Sequence, residues 1–223
     1  MQLYLGPLSL FSRKVEIALQ EKGLAFERIR VPFSQERGYE PRHPAVLASN
    51  PKRQVPVLVD GDLTLFDSTV IFEYLEDAYP RPALYPAGAK VRADCRLLEL
   101  TADEILFAPV RNLLYRTEPA HPDATRQLER EQAGLRAESA IRDQLSDLDK
   151  RLAGHDFFCG DLSVADIGLF MTVLFVRRLG GPALTDFQHL AAWYARLLQR
   201  PAFGMVATDI AAADRKLSPA LHR

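Results

Sequence analysis

The periodicity of the chain changes near residue 85, and that change constrains the fold more than any other feature of the sequence. Before it, short β-type runs exchange with helical patterns; after it, apolar residues recur at helical spacing almost throughout. "QLYLG" reads as a strand. Phe11, Val15, Ala18 and Leu19 then follow at i, i+4, i+7 and i+8, an amphipathic helix stopped by Gly23. "FERIRV" over 26–31 alternates as a second strand, which makes a parallel β-α-β unit. Pro44 opens a short helical turn running to Asn50, and "PVLVD" and "LTLF" flank Asp60-Gly61-Asp62 as the arms of a hairpin. A helix from about Ser68 places Val70, Ile71, Tyr74, Leu75 and Ala78 on one face and is closed by Pro80 and Pro82. Beyond lie long helices near 89–116 and 123–153 and shorter ones near 164–179, 186–199 and 201–213. The pattern predicts an α/β domain over 1–80, a linker over 81–88 and an all-α helical bundle domain over 89–223.

Composition narrows the function. A chain of 223 residues that is 48% hydrophobic can bury a full core. Its 28 basic residues stand against 29 acidic ones, so no basic field exists to attract a phosphate backbone, and nucleic acid is not an expected partner. The longest apolar run, 167–176, is too short for a bilayer and ends at Arg177-Arg178, so no membrane is expected either. The start of the chain reads as a strand and not as a signal peptide; with only Cys95 and Cys159 present, far apart in sequence, a reducing cytoplasmic setting is expected. The five histidines are scattered singly, and no metal site is expected.

Three details carry chemistry. Ser9-Leu10-Phe11-Ser12 sits between the first strand and the first helix, where redox proteins place a Cys-x-x-Cys motif, but it offers two hydroxyls and no sulfur. Arg13 and Lys14 then fall in the first helical turn, where the macrodipole disfavours cations. Either both point into water or an anion at the helix N-terminus offsets them. Asp67-Ser68 opens the helix before the linker; a plain N-cap accounts for Asp67 by itself.

Taken together, "SLFSRKV" after the first strand, "NPKRQVPVLVDGD" in the middle and "LFDSTVIFEYLEDAYP" before a helical remainder resemble the cytosolic glutathione transferase family over the whole chain. The resemblance implies a thioredoxin-like N-terminal domain that binds glutathione as co-substrate, followed by a helical domain that supplies a second-substrate pocket. It also implies a homodimer. The family's Ser/Thr-x-x-Asp motif is present as Ser163-Val164-Ala165-Asp166, physically a capping box with a folding role.

The implied glutathione contacts follow residue by residue. Asp67 pairs with the γ-glutamyl ammonium, and Ser68 receives the neighbouring carboxylate at the helix N-terminus. Val55 precedes an implied cis-Pro56 and pairs its backbone with the cysteinyl unit. Gln54 helps hold the glycine end, and Arg42 stands where many members place a Lys for the glycyl carboxylate. Phe11 belongs to the same site. Arg53 departs from the pattern, since many relatives have Gly there. Ser9 aligns with the position that is Ser or Cys in the family, so its hydroxyl is the implied donor to the glutathione thiolate; Ser12 is the alternative donor or a helix cap.

On the first long helix Phe107, Arg111 and Tyr115 recur at i, i+4 and i+8. They read either as a second-substrate face, Arg111 suiting an anionic group, or as a core stripe with Arg111 snorkelling. Conjugation of glutathione to a small electrophile is the leading expectation. Next come β-ether cleavage, isomerisation, dehalogenation or peroxide reduction on the same site, and then a non-catalytic binding module of the same fold.

Overall fold

The computed structural model describes residues 1–39 and 43–222. It divides into two compact units, Met1–Tyr85 with Arg200–Leu217, and Pro86–Gln199 with the residues from Ser218 on. The helix at 201–217 therefore groups with the first unit, where the sequence pattern places it in one continuous helical domain over 89–223.

In the first unit, β1 (Gln2–Leu5) leads into α1 (Leu10–Glu21), β2 (Glu27–Arg30), α2 (Pro44–Ser49), β3 (Val57–Asp60), β4 (Leu63–Phe66) and α3 (Ser68–Ala78). The sheet order is β2-β1-β3-β4. β1 and β2 pair in parallel from Gln2↔Glu27, and β1 pairs antiparallel with β3. Asp60 opposes Leu63 across the hairpin, whose turn uses Gly61 at φ 60°. This is the expected thioredoxin-like arrangement. The buried face of α3 is Ile71, Phe72 and Leu75, whereas Val70, counted on that face from the sequence, is 50% exposed. Ala78 of the same set is also exposed, and Glu76 is buried instead. It meets Lys22 Nζ at 2.8 Å, and Lys22 donates further to the carbonyls of Tyr79 at 2.8 Å and Pro82 at 2.9 Å. Glu76 in turn accepts the N–H groups of Leu84 and Tyr85. A buried charge is tolerable only when paired and hydrogen-bonded, and this pair ties α1 to the end of α3.

The same unit contains α9 (Pro201–Leu217), packed on α1. Arg200 grips Glu21 through Nε at 3.1 Å and Nη2 at 2.6 Å, a two-pronged contact at the start of α9.

The second unit contains α4 (Ala89–Leu100), α5 (Phe107–Arg111), α6 (Ala124–Arg151), α7 (Val164–Arg178) and α8 (Gln188–Leu198). The expected single helix over 89–116 is interrupted. A π-helical segment occupies Thr101–Leu106, and a 3-10 turn follows at Leu114–Thr117. Pro109 has no N–H to continue the ladder. Thr172 of α7 donates its hydroxyl to the Ala102 carbonyl at 3.2 Å beside the π segment. Residues Val164–Val176 of α7 are all buried, so it is the axis of this core. Among the described residues no helix is long and apolar enough to cross a membrane. Cys95 is buried in this core, and Cys159, remote in sequence, is half-buried; the two thiols influence each other's ionisation, Cys159 drawing the Cys95 thiol down and Cys95 pushing the Cys159 thiol up.

Candidate functional site

The turn after β1 is built by its own side chains. Ser9 is the N-cap of α1 with extended backbone (φ −87°, ψ 110°), and its Oγ accepts the Ser12 N–H at 3.2 Å. That bond uses a lone pair of Ser9, leaving its O–H able to donate, and the residue is only partly buried. Ser12 differs: it is fully buried. Its Oγ accepts the Gly6 N–H at 3.1 Å and donates to the Ser9 carbonyl at 3.4 Å, so its single donor is spent inside the turn. A Cβ at position 6 would lie 2.0 Å from the Tyr39 hydroxyl, so a larger residue there would have to displace that side chain.

Neither cation of the first helical turn points into water. Arg13 is 2% exposed and its Nη1 bonds the Glu16 carboxylate one turn on. Lys14 is fully buried, with its ammonium 5.7 Å from the Phe11 ring centroid and 5.1 Å from that of Phe72. The unfavourable dipole position is thus met by partners inside the protein, which sequence alone did not disclose. Phe11 is half-buried beside that ammonium.

The middle motif forms a self-braced loop. Asn50, 3% exposed, donates through Nδ2 to the Gln54 carbonyl at 2.7 Å, while its Oδ1 accepts the Lys52 N–H at 2.8 Å. Gln54 itself is exposed. Arg53 adopts φ 55°, a left-handed conformation that glycine enters without strain and a residue with a Cβ enters at a cost. Val55–Pro56 is cis and buried just ahead of β3. Arg42 lies outside the described residues.

Asp67 caps α3 with φ 75°, and Oδ1 accepts the Thr69 N–H at 3.1 Å. Ser68 beside it is 4% exposed. Positive φ at a non-glycine residue persists only where its surroundings over-determine it, and such strain gathers at functional sites. The Lys52 ammonium sits 3.2 Å from Asp67 Oδ2. Burial disfavours ionisation of Asp67, but the hydrogen bonds from Lys52 and Thr69 outweigh it and hold the carboxyl below its ordinary range. Sequence reasoning missed Asn50 and Lys52 as parts of this loop; an Asn ahead of a Pro in a quoted motif was the available signal for the first.

In the second unit, Phe107 and Arg111 do share α5, and Arg111 is exposed. Tyr115 leaves their face: the helix ends at Arg111, and the 3-10 turn lays the Tyr115 ring against Gly134 of α6, about 3.0 Å from where a Cβ would stand. Arg116, one residue on, is the better-anchored cation of this turn. It reaches Glu138 and donates to the Leu179 and Gly180 carbonyls at 2.9 and 2.8 Å.

The Ser163–Asp166 capping box is present, and Asp166 exceeds it. Its Oδ2 accepts the Ser163 N–H at 3.0 Å and hydroxyl at 2.9 Å, while Oδ1 accepts Phe158 N–H at 3.2 Å and Trp193 Nε1–H at 3.0 Å. Burial nevertheless raises its pKa. Among the described residues no group of three or more His, Cys, Asp or Glu side chains is arranged to hold a metal.

Comparison with known proteins agrees with this architecture. The glutathione S-transferase N-terminal domain model matches residues 3–83, and the C-terminal domain model residues 115–201. A glutathione S-transferase from Rhodospirillum rubrum F11 superimposes with a TM-score of 0.77 at 30% identity, covering 92% of this chain and 90% of that one. A stringent starvation protein A homologue from Coxiella burnetii is 41% identical over 100 residues, 44% of each chain. A maleylacetoacetate isomerase from Pseudomonas aeruginosa is 44% identical over 119 residues, 51% of this chain and 56% of the relative. The chain thus spans about half the length of these two curated relatives.

Proposed function

The chain belongs to the glutathione S-transferase family, and from that premise we propose that it binds glutathione in its first unit and conjugates the thiolate to a small electrophile. The observation that carries the reading is the contrast between the two serines. Ser9 is partly exposed and keeps a hydroxyl proton to donate at the N-terminus of α1, whereas Ser12 is fully buried with its hydroxyl turned inside the turn. A free thiol titrates at about 8.5, so only a few per cent is thiolate at neutral pH. One hydroxyl donating to the sulfur stabilises the anion by about 1.5–3 kcal/mol. That corresponds to about one to two pKa units. The helix N-terminus adds to it. Ser9 acts as a hydrogen-bond donor, and the attacking group is the co-substrate's own sulfur.

Asp67 supplies the carboxylate for the γ-glutamyl ammonium, and binding displaces Lys52 from it, an exchange of one ammonium for another. Ser68 and the α3 N-terminus take the adjacent carboxylate. Val55, Gln54 and Arg42 hold the cysteinyl and glycyl portions, with Phe11 at the edge of the same site. Phe107 and Arg111 remain the proposed second-substrate contacts, and Tyr115 is dropped from that face. We assign the working state to a cytoplasmic homodimer.

A second reading is glutathione-dependent isomerisation, favoured by the match to the maleylacetoacetate isomerase. A third, a non-catalytic binding module, draws on the stringent starvation protein A homologue, but the available Ser9 donor weighs against it. Calorimetric titration with glutathione, followed by turnover assays on electrophiles, cis-alkene dicarboxylates, aryl ethers, haloacids and hydroperoxides, separates the three. Conjugate formation supports the first, double-bond isomerisation with glutathione unconsumed supports the second, and binding without turnover supports the third.

A further inference from the structure

Cys95 lies on the buried stripe of α4 with Leu98 and Glu99, the stripe that packs on α7. The register of that packing is set one turn further along. A Cβ at Gly168 would stand 3.7 Å from Glu99 Cγ and 3.4 Å from the Ala102 Cβ, and Thr172 reaches the Ala102 carbonyl. The two helices therefore run side by side in the same direction. One turn back from Glu99 is Cys95, and one turn back from Gly168 is Val164, the first residue of α7. The Cys95 side chain is thus set at the N-terminus of α7.

The loop ahead of α7 brings the other thiol to the same place. The Phe158 N–H is held by Asp166 Oδ1 at 3.2 Å, and the Ser163 N–H by Asp166 Oδ2 at 3.0 Å. Between these two ties Cys159 pairs with Asp161 across a turn that uses Gly160 at φ 92°. Cys159 is therefore clamped over the first turn of α7. It is half-buried, whereas Cys95 is fully buried. The electrostatics agree with the geometry: each thiol is the first influence on the other's ionisation, and both sense Ser163 and Asp166. The Cys95 thiol is drawn down by Cys159 first, then by Ser163 and the Ala165 N–H in the first turn of α7.

We infer that Cys95 and Cys159 form a modification site, a dithiol that a hydroperoxide converts into an intramolecular disulfide within the folded second unit. Cys159 is the point of entry, because Cys95 has no exposed surface. The Cys159 sulfur attacks one peroxide oxygen and the O–O bond breaks. Cys159 becomes a sulfenic acid, and the other oxygen leaves as water. The Cys95 thiolate then attacks the Cys159 sulfur; the S–O bond breaks and hydroxide leaves, taking up the remaining thiol proton. Two thiols and one hydrogen peroxide give one disulfide and two waters, the sulfurs losing the two electrons that oxygen gains. In a reducing setting such a disulfide is transient and reversed by thiols. Both residues lie in the second unit, and the inference does not rest on the glutathione reading.

Hydrogen peroxide added to the reduced full chain at neutral pH tests it, followed by free-thiol titration, intact mass and non-reducing peptide mapping. Both thiols should disappear together, the mass should fall by two hydrogens, and the map should hold a single Cys95–Cys159 cross-link. The circular dichroism spectrum should stay unchanged, and dithiothreitol should restore both thiols. Cys95→Ala should stall Cys159 as a sulfenic acid that dimedone captures. Cys159→Ser, a change at the half-buried position, should slow oxidation of Cys95 at least about tenfold. If Cys95→Ala fails to fold, Cys159→Ser decides the matter. Two unreacted thiols, oxidation without the cross-link, cross-links between two chains, or wild-type oxidation of Cys95 in Cys159→Ser would each overturn the proposal.

Discussion

The indole N–H of Trp193 donates to Asp166 Oδ1 across 3.0 Å, and both residues are fully buried in the helical unit. The carboxylate so placed joins the loop at Phe158, the start of α7 and the middle of α8. Asp166→Ala strands the Trp193, Phe158 and Ser163 N–H donors, and is expected to lower stability by about 3 kcal/mol or more. Asp166→Asn, which retains one acceptor, should lose less. Chemical denaturation followed by Trp193 fluorescence measures both; glutathione affinity in the folded fraction should be unchanged.

Two carboxylates should bend the pH–stability curve in opposite directions. Asp60 accepts the hydroxyls of Tyr79 at 2.6 Å and Tyr74 at 2.7 Å, which hold its carboxyl below the usual range. Its contribution is present above the unfolded carboxyl's pKa, about 4, and is lost as pH falls through the lower folded value. Asp166 is raised by burial, so its folded form holds the proton longer, and stability falls as pH climbs from about 4 to its folded value. Replacing both Tyr74 and Tyr79 by Phe should therefore move the acid-unfolding midpoint upward, while Asp166→Asn should flatten the decline above pH 4. Denaturation midpoints across pH 2–7 read both slopes.

Arg53 at φ 55° is strained where glycine is not. Arg53→Gly removes about 1–2 kcal/mol of left-handed strain, offset in part by the greater entropy glycine loses on folding. These backbone terms alone favour glycine by about 0.5–1 kcal/mol, less what Arg53's own interactions contribute, with glutathione binding retained. Thermal unfolding decides it: a loss of stability means the Arg53 side chain makes a contact worth more than the strain.

The alternation of strands and helices before residue 85, the hairpin at Asp60–Asp62 and the capping box were legible because each is set by residues close together in sequence. What could not be read depends on remote partners. Lys22 and Glu76 look like solvated charges until the fold sets them 2.8 Å apart. Arg13 and Lys14 look misplaced until Glu16 and Phe72 are seen beside them. The break of the first long helix was half visible in Pro109, but the turn that redirects Tyr115 towards Gly134 is a tertiary event. At the candidate site the family motif located Ser9 and Asp67. The difference between Ser9 and Ser12 required hydrogen-bond partners.

Lys52 and Asp67 form a surface pair, 61% and 36% exposed, of the kind worth about 0–1 kcal/mol. If glutathione's ammonium takes Lys52's place, Lys52→Met should raise glutathione affinity by up to about fivefold, and the gain should shrink at high salt. Asp67→Ala should weaken affinity well beyond tenfold. Calorimetry at two ionic strengths tests both; unchanged affinity in Asp67→Ala removes that residue from the site.

The most direct measurement is the ultraviolet absorbance of bound glutathione thiolate titrated against pH in wild type, Ser9→Ala and Ser12→Ala. Ser9→Ala should raise the bound thiol's pKa by about one to two units. It should also slow turnover at neutral pH by about tenfold to two hundredfold. The deficit should close as pH rises past the free thiol's pKa, and Asp67 should keep glutathione affinity nearly unchanged. Ser12→Ala should cost helix stability and leave the thiol's pKa where it was. A raised thiol pKa in Ser12→Ala together with an unchanged one in Ser9→Ala would contradict the assignment of Ser9 as the thiolate donor.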